Sequence, residues 1–247
     1  MTTVQTGTPT KTETPSIGEL IGIAVVLAAV SVSPLMFVVS TAGYSSMNWL
    51  GWHALLPALA AFLVVWGIAA MMGWRRLAAG QATALWVGIL ATVGLEIVRL
   101  IGFREFGAMP GSMPELMGVL LTNQFMSGPD WWSNLLGWGD HFWNGISFAT
   151  IYIVLLGRRA WWVGSLYALL VGTVFMVSPV MSVTGSGLFG QQFAPIAFPV
   201  TVYLAHLAFG TIIGYFVSKS PVAKPTLLTY LVDLLTPRPP SGQPEAR

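Results

Sequence analysis

The chain contains no cysteine. That excludes disulfides, thiolate metal sites, iron–sulfur clusters and thiol nucleophiles. A soft metal ion would have to be held by Met and His alone. Charge is also scarce. Asp, Glu, Lys and Arg together make up 8% of the 247 residues, against about 25% in a soluble domain. No Ser-His-Asp arrangement, phosphate-binding loop or pair of carboxylates stands out, so a subunit or binding protein is favoured over a self-sufficient enzyme. The net charge of +2 is set by a few clustered Arg and Lys residues. Their placement follows membrane topology and does not form a nucleic-acid surface.

What the chain does have is apolar length. Hydrophobic residues are 55% of the whole and mean hydropathy is +0.72. The runs of spanning length predict an all-α polytopic membrane bundle. Six spans are expected, at 17–40, 52–73, 82–103, 137–157, 160–182 and 196–217. Arg75-Arg76, Arg158-Arg159 and Lys219 with Lys224 fall in links on one side, as do Lys11 and the N-terminus. The positive-inside rule makes that side cytoplasmic and both termini cytoplasmic, in a multi-pass protein of the inner (plasma) membrane. Residues 1–16, rich in Thr, read as a disordered tail. Residues 17–73 read as a two-helix hairpin and 82–217 as a four-helix core. Residues 218–247 read as an amphipathic segment followed by a Pro-rich end. Expected partners are the lipid bilayer and other membrane proteins or a second copy of the chain.

The outer link 104–136 carries Ser112-Met-Pro-Glu115, the pattern of a helix capping box. An interfacial helix is predicted at 112–127, ending near Gly128-Pro129. Trp131, Trp132 and Trp138 follow as an aromatic belt.

The polar residues that matter lie inside the apolar runs, where ionisable groups are costly. Trp138-Gly-Asp-His-Phe-Trp-Asn-Gly145 places Asp140, His141 and Asn144 at the entry of the fourth span. Glu96 lies roughly 10 Å inside the third span at 1.5 Å per residue. Arg99 is one turn further out and His206 is near the midplane of the sixth span. Gly88, Thr92 and Glu96 repeat every four residues. So do His141, Gly145 and Ala149; His206, Gly210 and Gly214; and Gly164, Ala168, Gly172 and Met176. Small residues at this spacing mark faces where helix backbones approach closely. Glu96, His141, Met176 and His206 are therefore expected to point into a common bundle, with Asp140 and Asn144 flanking an outward-facing polar pocket.

Several readings of this cluster stay open. It can be structural: Glu96 and Arg99 at i, i+3 can neutralise each other, and a His can satisfy a backbone carbonyl. It can hold copper or haem, with His141, His206, Met176 and Glu96 as ligands. It can relay a proton or small solute, although the cytoplasmic half has no ionisable residue to continue the path. Or it can serve a binding or scaffold subunit.

Residues 82–217 also show a Gly-rich first helix, a link bearing Met-Pro, the entry His141-x-x-x-Gly145, Pro179, and the turn Gly185-Ser-Gly-Leu-Phe-Gly190. The pattern closes with Ala205-His-Leu-x-x-Gly-x-x-x-Gly214. In this it resembles a loosely defined group of uncharacterised prokaryotic four-span membrane proteins. The resemblance implies a four-helix core and carries no activity; the first two spans are an addition to it.

Overall fold

The computed structural model describes residues 15–220, together with Leu227. Those residues are helical with no strand. The helices are α1 (Ile17–Thr41), α2 (Met47–Leu50), α3 (Leu56–Met71), α4 (Arg75–Phe106), α5 (Met113–Leu121), α6 (Trp131–Leu155), α7 (Trp161–Met176), α8 (Val180–Val183) and α9 (Ala197–Lys219). A π-helical turn, Gly51–Leu55, joins α2 to α3, so Met47–Met71 runs as one rod. Among the described residues, four helices are long and apolar enough to cross a membrane: Ile17–Thr41, Met47–Met71, Arg75–Phe106 and Ala197–Lys219. The chain is a helical membrane protein. The expected tail at 1–14 and the segment 221–247 lie outside the described residues, Leu227 apart.

Local chemistry sets several ends differently from the sequence expectation. Helix α6 begins six residues before 137, because Asp130 caps it. Asp130 Oδ1 accepts the Ser133 N–H at 2.7 Å, and Ser133 Oγ accepts the Asp130 N–H at 2.9 Å. The Ser133 backbone N–H holds the Asp130 carboxyl below the usual carboxylate range. Trp131 and Trp132 are thus the first turn of this helix. The fifth apolar run was expected to be helical to 182. Its helix α7 stops at Met176, where Pro179 restricts the residue before it and offers no N–H. The interfacial helix is shorter than 112–127. Ser112 caps it through the Glu115 N–H, and it ends at Thr122, followed by Asn123 at φ 60°.

Packing runs around an incomplete ring. Helix α7 lies on α9, α9 on α4, α4 on α6, and α6 on α1. Helix α3 covers α1, and α5 lies across the first turns of α6. The closest approaches follow the small-residue stripes. A Cβ on Gly88 would sit 2.5 Å from Ile146 Cα, and one on Gly164 would sit 2.6 Å from Gly214 Cα. A larger side chain at either position would force its helix pair apart. One core cluster joins α4, α6, α7 and α9 around Ala84, Val87, Tyr152, Phe209 and Ile213. A second joins α1, α3 and α4 around Val26, Val30 and Phe62, and Trp143 packs against it.

Helices α6 and α7 are not consecutive in this order of contacts. Tyr167 Oη–H of α7 donates to Phe148 O of α6 at 3.0 Å. Beyond that bridge a gap remains between them.

Candidate functional site

The gap is a cavity of about 420 Å³, within the 300–1,000 Å³ range of small-molecule sites. Its walls come from five long helices: Phe37 and Pro34 of α1, Thr92 and Leu95 of α4, Asn144 and Phe148 of α6, Val171 and Phe175 of α7, and Val202 and Phe209 of α9. Met109, Pro110 and Gly111, in the link before α5, complete the end nearest α5. The walls are overwhelmingly apolar. Leu35 of α1 and Leu170 and Val174 of α7 also line it, yet are 57%, 63% and 56% exposed. These three apolar residues form a rim on the outer flank of the bundle, where lipid would lie.

Polar groups gather at one region of this cavity. Helical spacing brings Glu96 opposite His141. Gly88, Thr92 and Glu96 share the face of α4 that meets α6, and Thr92 Oγ1–H satisfies its own helix at Gly88 O. Glu96 Oε1 stands 2.8 Å from His141 Nε2. Arg99 Nε donates to both oxygens of the same carboxylate, at 2.8 and 3.0 Å, and its Nη2 donates to Oε2 at 2.6 Å. Arg99 Nη1 reaches Gly111 O at 3.5 Å, tying α4 to the link over the cavity. The edge of Trp138 meets the His141 ring, with centroids 6.1 Å apart. Arg99, His141 and Asn144 all line the cavity; Glu96 stands behind them.

His206 lines the cavity from α9. Its ring rests on Gly172 of α7, where a Cβ would sit 2.8 Å from the ring Cγ. Its Nδ1 is 2.8 Å from Val202 O of its own helix. A carbonyl only accepts, so Nδ1 carries a proton, and in the neutral ring Nε2 is then an acceptor facing the cavity. That is the ring's one hydrogen bond among the described residues.

Two expected members stand elsewhere. Met176 is fully buried in a cluster with Met109, Met181, Phe198 and Val202, away from the cavity wall. Asp140 is one residue from His141 and so points about 100° around α6. It faces α1, where Ser33 Oγ–H donates to its Oδ1 at 2.7 Å. Asp140 Oδ2, Trp143 Nε1, Asn144 Oδ1 and Ser147 Oγ are buried without a hydrogen-bond partner. The pocket is therefore mainly apolar with a polar end, where a polar pocket flanked by Asp140 was expected.

This arrangement does not support the copper reading. Glu96 is occupied by Arg99 and His141, Met176 lies behind the wall, and His206 spends one nitrogen on Val202. Among the described residues no group of three or more His, Cys, Asp or Glu side chains could hold a metal ion.

Ser33 and the phenylalanine-lined wall were not anticipated. Ser33 had a signal, as a polar residue at mid-helix in an apolar run, but apolar wall residues look the same in sequence as any packed core. No family model, curated protein or solved structure matches the chain.

Proposed function

We propose that this protein is a membrane-embedded binding component, a receptor or subunit, for a lipophilic small molecule that enters from the outer half of the bilayer. The observation that carries the reading is a cavity that is apolar along its walls, polar at one end, and rimmed by exposed Leu35, Leu170 and Val174. A water-soluble ligand would gain little from such walls. A lipid-soluble one would exchange bilayer for protein without passing through water. The lack of a self-sufficient catalytic set fits a binding role, with other membrane proteins or a second copy as partners.

The accompanying topology is six spans, with α6 and α7 crossing beside the four long apolar helices. Both termini and Arg75, Arg76, Arg158, Arg159 and Lys219 face the cytoplasm, in the inner (plasma) membrane. Packing supports one shared end for these groups. Trp74, before α4, covers Gly18 and Gly22 at the start of α1. Gly214, near the end of α9, meets Trp161 at the start of α7. The four-span likeness of residues 82–217 is consistent with this layout.

The test is loading. Protein purified into lipid nanodiscs should retain a lipophilic small molecule, detected by mass spectrometry of the extract. Val171→Trp fills the cavity and should cut that loading about tenfold, because the walls are close-packed and cannot absorb an indole. Leu166→Trp, on the exposed face of the same helix, should leave loading unchanged. Equal loading in all three proteins would sink the binding reading.

A further inference from the structure

The polar end of the cavity constrains the head of its occupant, given the binding role above. Three features decide it. The first is charge. Arg99 is matched by Glu96 in the same helix through three hydrogen bonds. With Arg99 and Glu96 spent on each other, neither is free to pair with an ionised head, and an ion brought into apolar walls without a partner is strongly disfavoured. The head is neutral.

The second feature is the sense of the free hydrogen-bonding groups. His206 has spent its N–H on Val202 O, so what it offers the cavity is the Nε2 lone pair. Asn144 lines the same cavity, and its side-chain oxygen has no partner. A ketone or ether head brings only acceptors and would leave His206 Nε2 unsatisfied. A hydroxyl donates one hydrogen bond and accepts others, so it can give its proton to His206 Nε2 and accept from the Asn144 side-chain N–H.

The third feature is the wall around those groups. Phe37, Phe148, Phe175, Phe198 and Phe209 line the cavity. Aromatic side chains meet a flat ring through offset or edge-on contacts that an alkyl chain does not offer.

We propose that the cavity binds a neutral hydroxylated aromatic ring carrying an apolar tail, a phenol or hydroquinone. The ring hydroxyl donates to His206 Nε2 beside Asn144, and the tail leaves between Leu35 and Val174 into the bilayer. The step is binding alone; no bond is made or broken.

The experiment compares a long-chain alkylphenol with its methyl ether, which keeps size and ring but loses the O–H. Both are titrated into the full-length protein in nanodiscs, and dissociation constants are read from the rise in thermal midpoint with ligand. The phenol should bind about tenfold more tightly than the ether, since the ether leaves a buried acceptor unpaired. In His206→Phe the two should bind within about twofold of each other, with the ether as tight as to the unaltered protein. Equal binding of phenol and ether to the unaltered protein overturns the hydroxyl assignment and leaves the lipophilic-binding reading standing. Binding of neither, with Val171→Trp also retaining as much lipophilic material as the unaltered protein, overturns that reading as well. If His206→Phe fails to fold, the unaltered protein's phenol-to-ether ratio still decides. A short-tailed benzoquinone in its reduced and oxidised forms identifies the source of the ring. Tighter binding of the reduced form than of the alkylphenol assigns a membrane quinol; the reverse order assigns a simple phenol. A preference for the oxidised form, which has no O–H, overturns the proposal.

Discussion

At the scale of single residues, the most consequential neighbours on α6 are Asp140 and His141. They are adjacent in sequence and serve opposite sides of the helix. His141 reaches Glu96 on α4, while Asp140 is buried against Ser33 of α1. Among the described residues, the Ser33 bond is the one polar tie between α1 and the rest of the bundle that is buried at both ends. Removing it should be costly for a reason that packing volume does not capture. Ser33→Ala leaves Asp140 Oδ1 buried beside an Oδ2 that already lacks a partner, and an orphaned buried acceptor costs about 1–3 kcal/mol. Ser33→Ala should therefore lower the thermal midpoint clearly. Ser33→Ala combined with Asp140→Leu should lower it less than Ser33→Ala alone, because no polar group is then stranded. A double-mutant cycle on the purified protein measures this. If the two single losses simply add, the hydrogen bond is not what joins α1 to α6.

At the scale of helices, much of the arrangement was legible in sequence, and its failures have physical causes. Four-residue spacing of Gly, Ala and Thr marked the packed faces, and those faces do meet: Gly88 on α6, Gly164 on α9, Gly172 under His206. The same spacing placed Glu96 toward His141. It could not place Met176, because a stripe fixes direction around a helix and α7 ends at that very residue, turning the chain at Ser178-Pro179. It could not distinguish a cavity from a core, because both are lined by Leu, Val and Phe. Helix ends were missed where a polar cap extended an element past its apolar run, as Asp130 does for α6. The stripes lead to a direct check. Gly210 meets Gly164 and Ala168 of α7, so Gly210→Leu overpacks that contact and should destabilise the fold by about 1–3 kcal/mol. Gly139 of α6 has open space around it, and Gly139→Leu should change stability by roughly 0.5 kcal/mol or less. Similar losses from both changes, measured by thermal or denaturant unfolding, would show that small residues at these positions are not chosen for close approach.

At the scale of the whole molecule, the proposal depends on which way the bundle faces. A cavity whose polar end lies toward the outer surface can sample lipophilic molecules in that leaflet only if α1 starts at the cytoplasmic side. The support for this comes from charge: Arg75 and Arg76 open α4, Arg158 and Arg159 follow α6, and Lys219 closes α9. An excess of Lys and Arg in short loops is retained on the cytoplasmic side during insertion. The absence of native cysteine makes the orientation open to a direct measurement. Single cysteines at exposed positions can be labelled in intact cells with a reagent that does not cross membranes. Tyr44, Ser127 and Gln191 are exposed at the end opposite those basic residues, and Tyr44→Cys, Ser127→Cys and Gln191→Cys should react. Met72 and Ala160 are exposed beside the basic links, and Met72→Cys and Ala160→Cys should react only after the membrane is opened. The Ala160 label carries particular weight, because it lies between α6 and α7, the two helices outside the set that is long and apolar enough to span. If Met72 stays protected while Ala160 reacts from outside, α6 and α7 do not both cross, the chain has fewer than six spans, and the mouth between α1 and α7 no longer opens on the outer leaflet.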